Sequence, residues 1–291
     1  LRKYGDYEAT VDVDRARQLI RDLSPLAADE VELLGAGTES AAFRVDGEWV
    51  VRFPLVPAAQ GTLATELALL PRLAPRLPVA VPHPVHVGQR GQQLVFCGYR
   101  ALEGEPLSDA ALSALSPSAR ARALDELAAL LDAIHRFPVE RARAAGVSFE
   151  LYKGAYHSQQ ENLERELSGI LDSTERARIA RERRAFENAQ PHPSKPVLLH
   201  ADIKPEHLLH DPSSGALTGL LDWGDASLGH GDFDLAIIST FCGSHTLQGL
   251  LDRLDETDAE RALMSIPYLL TVRRLQDILY DIDLAAAPIV E

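Results

Sequence analysis

His200-Ala-Asp202-Ile-Lys204-Pro-Glu-His207, followed by Leu220-Leu-Asp222-Trp-Gly224, is the stretch that decides the fold. Val197-Leu-Leu-His200 and Leu208-Leu-His210 read as short apolar strands on either side of a loop, and Ser213-Ser-Gly215 reads as a turn into a strand from Leu217 to Leu221. Asp202 then lies in a loop and Asp222 at a strand end. The hairpin between them brings the two carboxylates together although twenty positions separate them. Phosphoryl transfer needs such a set: one carboxylate to receive a hydroxyl proton, and further ligands to hold Mg²⁺ on the donor phosphates. His207, five residues after Asp202, is a second metal-ligand candidate, since neutral imidazole binds metals even though Mg²⁺ prefers oxygen. Each of these residues alone reads better as a turn, surface or packing residue. Their order and spacing single out the set.

The first third of the chain carries strand and turn signals. Val31-Glu-Leu-Leu-Gly35 and Ala41 to Val45 read as strands around Gly35-Ala-Gly37-Thr-Glu-Ser40, and Asp46-Gly47 reads as a hairpin turn into Glu48 to Phe53. Period-two alternation puts Trp49, Val51 and Phe53 on one face and Val50 and Arg52 on the other. Gly35, Gly37 and Ser40 fit a lid over phosphates, with Ser40 where a protein kinase has its third glycine. The loop is neither a Walker A motif, which ends in Gly-Lys-Ser/Thr, nor a Rossmann turn, because strands follow it and no helix does. Arg52 stands at the place of the third-strand lysine of kinases. Glu66 is its candidate partner, on a helix predicted over Thr62 to Leu73.

The formal charge of −14 argues against a nucleic-acid partner, which calls for clustered Lys and Arg. It favours a cationic small molecule. Cys97 and Cys242 are far apart and form no CxxC, so neither a disulfide framework nor a zinc site is indicated. No signal-peptide pattern opens the chain and no apolar run reaches about 18 residues. A cytoplasmic location without membrane contact is expected, as a monomer or weak dimer. Helical spacing recurs over Pro117 to Phe137, over Glu161 to Asn188 and over Thr271-Val-Arg-Arg-Leu-Gln-Asp277-Ile-Leu-Tyr280-Asp281. The proline-rich Pro71 to Pro84 reads as a rigid connection.

The His-x-Asp loop, His207, Asp222-Trp-Gly-Asp-Ala226 and Gly229-His-Gly-Asp-Phe-Asp234-Leu-Ala236 together resemble the aminoglycoside phosphotransferase family. Within it the chain is most similar to the branches that phosphorylate the 2''-hydroxyl of aminoglycosides and the 2'-hydroxyl of macrolides, in which a His replaces the usual metal-binding Asn. His230 and Gly231 depart from the family's Asp-Pro at that place. The resemblance implies an α+β, protein-kinase-like bilobal fold, with a small antiparallel-sheet lobe over residues 1–98, a hinge over 99–104 and a larger helical lobe over 105–291. It implies Asp202 as base, Lys204 on the transferred phosphate, His207 and Asp222 on Mg²⁺, and His200 and Asp234 bracing the catalytic loop. Arg52 paired to Glu66 would clamp the phosphates of ATP or GTP, and Tyr99, Arg100, Ala101 and Leu102 would meet the purine. Asp277, Tyr280 and Asp281 are candidate acceptor contacts. The acceptor is expected to be an aminoglycoside-like antibiotic, which would make this a resistance enzyme. The alternatives are a macrolide, a metabolic sugar or amino alcohol, or a non-catalytic nucleotide-binding regulator. A protein kinase shares Asp-Ile-Lys-Pro-Glu, but the twelve positions from Asp222 to Asp234 leave no room for an activation segment, and no Ala-Pro-Glu follows.

Overall fold

Asp46 and Gly47 both take left-handed backbone angles, φ 49° and 70°, as the tight turn between twisted antiparallel strands requires. With β1 (Val31–Ala36) alongside, they join β2 (Ser40–Val45) to β3 (Trp49–Pro54) in the expected meander. The computed structural model describes residues 11–37, 39–148, 165–189, 195–254 and 256–286. It divides into two units: Leu1–Pro75 with Ala80–Glu103, and Arg76–Val79 with Gly104–Glu291.

In the first unit, β4 (His86–Arg90) and β5 (Gln93–Arg100) complete an antiparallel sheet of order β1-β2-β3-β5-β4. The β4–β5 hairpin was not anticipated. Its glycine, Gly88, lies directly under the Phe96 ring, which leaves no space for a side chain. Alternation in β3 buries Val51 and Phe53. These pack with Phe43, Val45 and Phe96 against Ala16, Leu19 and Ile20 of α1 (Val13–Leu23). Phe53 meets Phe43 edge-on at 5.6 Å and Phe96 at 5.3 Å. Each such side chain contributes about 1.5–3 kcal/mol on burial. Asp12 starts α1 by accepting a hydrogen bond from Arg15 N–H at 2.7 Å. Helix α2 (Pro57–Leu73) begins at Pro57, earlier than predicted, because proline at the first helical position has no N–H to leave unsatisfied. Leu63 packs with Leu94 and Cys97. Burial, reinforced by Glu66, pushes the Cys97 thiol up to about 12.

The second unit is mainly helical, so the expected α+β class is the one observed. β6 (Glu105–Pro106), β8 (Leu208–His210) and β9 (Leu217–Leu220) form one small antiparallel sheet, and β7 (Val197–Leu199) pairs with β10 (Ser227–Gly229) in another. The flanking strands β7 and β8 therefore belong to different sheets, and the loop between them crosses from one to the other. Helices α3 (Asp109–Ala114), α4 (Pro117–His135) and α5 (Val139–Arg143) precede that loop, as does α6 (Ser173–Ala189). Helices α7 (Asp232–Ser239), α8 (Ser244–Leu251) and α9 (Glu256–Ala286) follow it. Leu127, Leu130, Leu131 and Ile134 of α4, Phe233 and Ile237 of α7, and Tyr268, Leu269 and Leu275 of α9 are core residues. Of the helix predicted over Glu161 to Asn188, residues 149–164 lie outside those described, Arg165 and Glu166 are helical, and a 3₁₀ turn over Leu167–Gly169 separates them from α6. α9 starts well before the predicted Thr271 and runs through Pro267, whose missing N–H hid the continuity in the sequence. No helix among the described residues is long and apolar enough to cross a membrane.

Candidate active site

The loop from β7 to β8 is held from beneath by Asp234, at the start of α7. Its Oδ1 accepts the Ala201 N–H at 2.7 Å, and its Oδ2 accepts the His200 N–H at 3.3 Å and lies 2.9 Å from His135 Nε2 of α4. Asp234 is fully buried, so these partners replace the water it has lost. Ala201 is left-handed, φ 65°, a conformation that strains a residue with a Cβ by about 1–2 kcal/mol. His200 fixes the loop from the other side. Its Nε2 lies 2.9 Å from the Leu221 carbonyl, which can only accept, so Nε2 carries the proton and Nδ1 accepts the Asp202 N–H at 3.3 Å. Burial lowers the His200 pKa and keeps the ring neutral, against the pull of Asp234. Trp223 packs on that ring at 4.6 Å.

This scaffold presents Asp202. Its carboxylate is buried, and Oδ1 accepts no hydrogen bond among the described residues. Lys204 Nζ stands 2.8 Å from Oδ1 as its ion-pair partner. His207 Nδ1 donates to the Asp202 carbonyl at 2.8 Å, which leaves Nε2 with its lone pair exposed 3.7 Å from Asp222 Oδ2. Asp222 is itself left-handed, φ 55°. Leu221 N–H donates to the His207 carbonyl at 2.7 Å and ties the end of β9 to the loop. Asp202, Lys204, His207 and Asp222 thus converge.

One member of the cluster went unread in the sequence. Arg273 of α9 places Nε 3.1 Å from Asp277 Oδ1, Nη1 3.6 Å from Asp225 Oδ2 and Nη2 3.9 Å from Asp202 Oδ1. Burial pulls its pKa down, but Asp277, Asp225 and Asp202 outweigh burial and hold it up. Burial raises the pKa of Asp277 despite Arg273 beside it. The Arg273–Asp277 spacing was legible as a helical i,i+4 pair, whereas its reach to Asp202 depends on tertiary packing. The His135 contact with Asp234 was missed for the same reason. The side chains of Tyr280 and Asp281 lie outside those described.

In the first unit, Arg52 Nη1 bonds both oxygens of Glu66 at 3.2 and 2.9 Å, and Glu66 is buried. Gly37 N–H donates to the Ser40 carbonyl at 2.9 Å, closing the turn from β1 to β2, and the space where a Cβ of Gly35 would stand is open. Tyr99 and Arg100 are the last residues of β5. The Ala101 N–H donates to the Glu48 carbonyl at 2.8 Å and is therefore committed within the unit.

The model of the phosphotransferase enzyme family matches residues 30–264. The chain belongs to that family. This phosphotransferase is similar over 94% of its length to the GDP complex of the wild-type aminoglycoside 2'-phosphotransferase-IIIa, covering 93% of that chain at 26% identity with a TM-score of 0.82. The GDP and kanamycin complex of APH(2'')-IIIa compares equally at 26% identity, with coverages of 94% and 93% and a TM-score of 0.81. The fold extends to the apoenzyme of the macrolide 2'-phosphotransferase MphH from Brachybacterium faecium, at 22% identity, coverages of 94% and 93%, and a TM-score of 0.65. No curated protein matches the chain by sequence. The phosphotransferase therefore has the kinase-like fold of these antibiotic kinases and is an enzyme of the phosphotransferase family.

Proposed function

We propose that this phosphotransferase moves the γ-phosphoryl group of ATP or GTP to a hydroxyl of a small, cationic, aminoglycoside-like acceptor, with Asp202 as the base. The observation that carries this reading is the buried Asp202 carboxylate, whose Oδ1 faces the Lys204 ammonium and accepts no hydrogen bond, on a loop anchored through Asp234 and His200. Lys204 offsets the charge of this oxygen, and an incoming acceptor hydroxyl would supply the hydrogen bond it lacks. The acceptor O–H proton passes to Asp202, the acceptor oxygen bonds to the γ-phosphorus, and the bond from that phosphorus to the β,γ-bridging oxygen breaks to release the nucleoside diphosphate. Lys204 steadies the transferring group. Orientation and preorganised charge supply most of the rate gain and the base a smaller part.

Mg²⁺ fits the residues present. His207 Nε2 and Asp222 Oδ2 are two lone-pair donors facing each other at 3.7 Å with no proton between them in this tautomer. Among the described residues no three His, Cys, Asp or Glu side chains form a closed metal cage. Mg²⁺ in phosphoryl-transfer sites is commonly held by one or two side chains, with phosphate oxygens and water completing its shell. When bound, the ion neutralises charge developing on the phosphates. Arg52, oriented by Glu66, clamps the donor phosphates beneath the loop of Gly35, Gly37 and Ser40. Residues 1–98 serve the nucleotide, 99–104 act as hinge, and 105–291 serve the acceptor. Purine contacts fall to Tyr99, Arg100 and Leu102 and to the carbonyl of Ala101, whose amide is already used. Tyr280 and Asp281 meet the acceptor, and Asp277, paired to Arg273, lines the same site. The enzyme works in the cytoplasm as a monomer or weak dimer and confers antibiotic resistance.

A coupled nucleotide-turnover assay with Mg²⁺, ATP or GTP, and a panel of aminoglycosides, macrolides and simple amino sugars tests this. Aminoglycoside-dependent turnover is expected. Turnover only with a macrolide or a sugar would reassign the acceptor, and nucleotide binding without turnover on any member of the panel would place the acceptor outside the antibiotics or make the chain a regulator.

A further inference from the structure

The guanidinium of Arg273 is the point where three carboxylates from three separate elements meet: Asp202 from the loop after β7, Asp225 from the 3₁₀ turn Trp223–Asp225, and Asp277 from α9 itself. Its side chain is 23% exposed. Only the Asp277 contact approaches the 2.7–2.9 Å or so of a charge-assisted hydrogen bond, and those to Asp225 and Asp202 are looser, at 3.6 and 3.9 Å. A partly buried ion pair of purely structural value needs close, well-directed geometry to offset desolvation. Arg52 has that geometry on Glu66, and Arg273 does not have it on Asp225 or Asp202. The guanidinium is shared among carboxylates beside the proposed base, which is also where the charged groups of an acceptor would arrive.

We infer that Arg273 is a specificity-determining residue: an internal cation that fills the position an acceptor ammonium would otherwise take against Asp225 and Asp277. This rests on the reading of Asp202 as the acceptor-facing base. Arg273 thereby limits how much positive charge the site accepts next to the reacting hydroxyl. The preferred acceptors carry their ammonium groups farther along the ring system, while those with a cation crowded against the acceptor hydroxyl are disfavoured. Lys204, 2.8 Å from Asp202, adds to the same bias.

Titration calorimetry at pH 8 tests the inference, with kanamycin as polycationic probe and trehalose as uncharged control, on the wild type, Arg273→Gln, Arg273→Lys and Arg273→Gln with Asp277→Asn. Thermal unfolding of each variant is followed in parallel. Arg273→Gln should bind kanamycin about tenfold more tightly than the wild type, with the gain shrinking as salt rises. The shorter cation of Arg273→Lys should give a smaller gain in the same direction. That variant decides the matter if Arg273→Gln does not fold. Trehalose binding should not change, and Asp277→Asn should erase most of the gain. Unchanged or weaker kanamycin binding in both single variants would overturn the inference, as would a gain that survives Asp277→Asn. Kanamycin turnover by the wild type is scored separately. A gain in binding without turnover in any variant keeps the cation position and removes the aminoglycoside kinase reading, whereas wild-type turnover with no gain does the reverse.

Discussion

Asp234 and Asp202 are both buried carboxylates of the same unit, yet their oxygens are treated in opposite ways. Asp234 takes two backbone amides and sits against His135, so nothing further can approach it. Asp202 gives its own amide to His200 and its carbonyl to His207, while its carboxylate is left with cations and, on Oδ1, no hydrogen bond. The loop's backbone is anchored at Ala201, Asp202 and His207, whereas Oδ1 of its reactive group accepts no hydrogen bond. Stability and function are thus divided between two aspartates that a composition count treats alike.

The comparison predicts effects of different size and kind. Asp202→Asn should lower kcat by about 10²–10⁴-fold and leave the unfolding midpoint and nucleotide affinity near wild type. A variant that loses stability and turnover together would break the division. His207→Ala should raise the Mg²⁺ concentration giving half-maximal activity about 10–100-fold, which a metal titration at saturating nucleotide reads directly. Asp234→Asn turns an NH2 donor toward a backbone amide that needs an acceptor, so urea unfolding should show a loss of about 1–3 kcal/mol, accompanied by a fall in kcat.

The scaffold has its own pH signature. Burial holds folded His200 below its ordinary 6.5, so the unfolded chain binds that proton more readily. The His200 contribution is intact above pH 6.5, and stability declines as pH falls below it, by at most about 1.4 kcal/mol per pH unit. The same denaturation series on His200→Gln should lose that part of the slope. The smallest effect belongs to Ala201. Ala201→Gly relieves the left-handed strain but adds unfolded-state freedom, so the net change should be stabilising and no more than about 1 kcal/mol. A destabilised glycine variant would mean that the methyl group matters more than φ.

Much of this was legible because it is local. Asp46-Gly47 announces its turn through backbone preference, β3 declares its faces by alternation, and the spacing of Asp202, His207 and Asp222 sets out the hairpin that gathers them. The α1 helix was equally available, since Asp12 ahead of Val13 is a capping signal. What the sequence could not yield depends on packing. β7 pairs with β10 and not with β8, α9 runs through Pro267, and Arg273 and His135 reach carboxylates far away in the chain. Helical periodicity places Arg273 on a face of α9 but gives no hint of what that face meets.

The most direct test of the account is to measure kcat, nucleotide dissociation constant and unfolding free energy side by side for the wild type, Asp202→Asn and Asp234→Asn. The account predicts that Asp202→Asn loses turnover while keeping nucleotide affinity and stability, and that Asp234→Asn loses stability along with turnover. Near-normal turnover in Asp202→Asn, or a full loss of its stability, would contradict the assignment of Asp202 as the base.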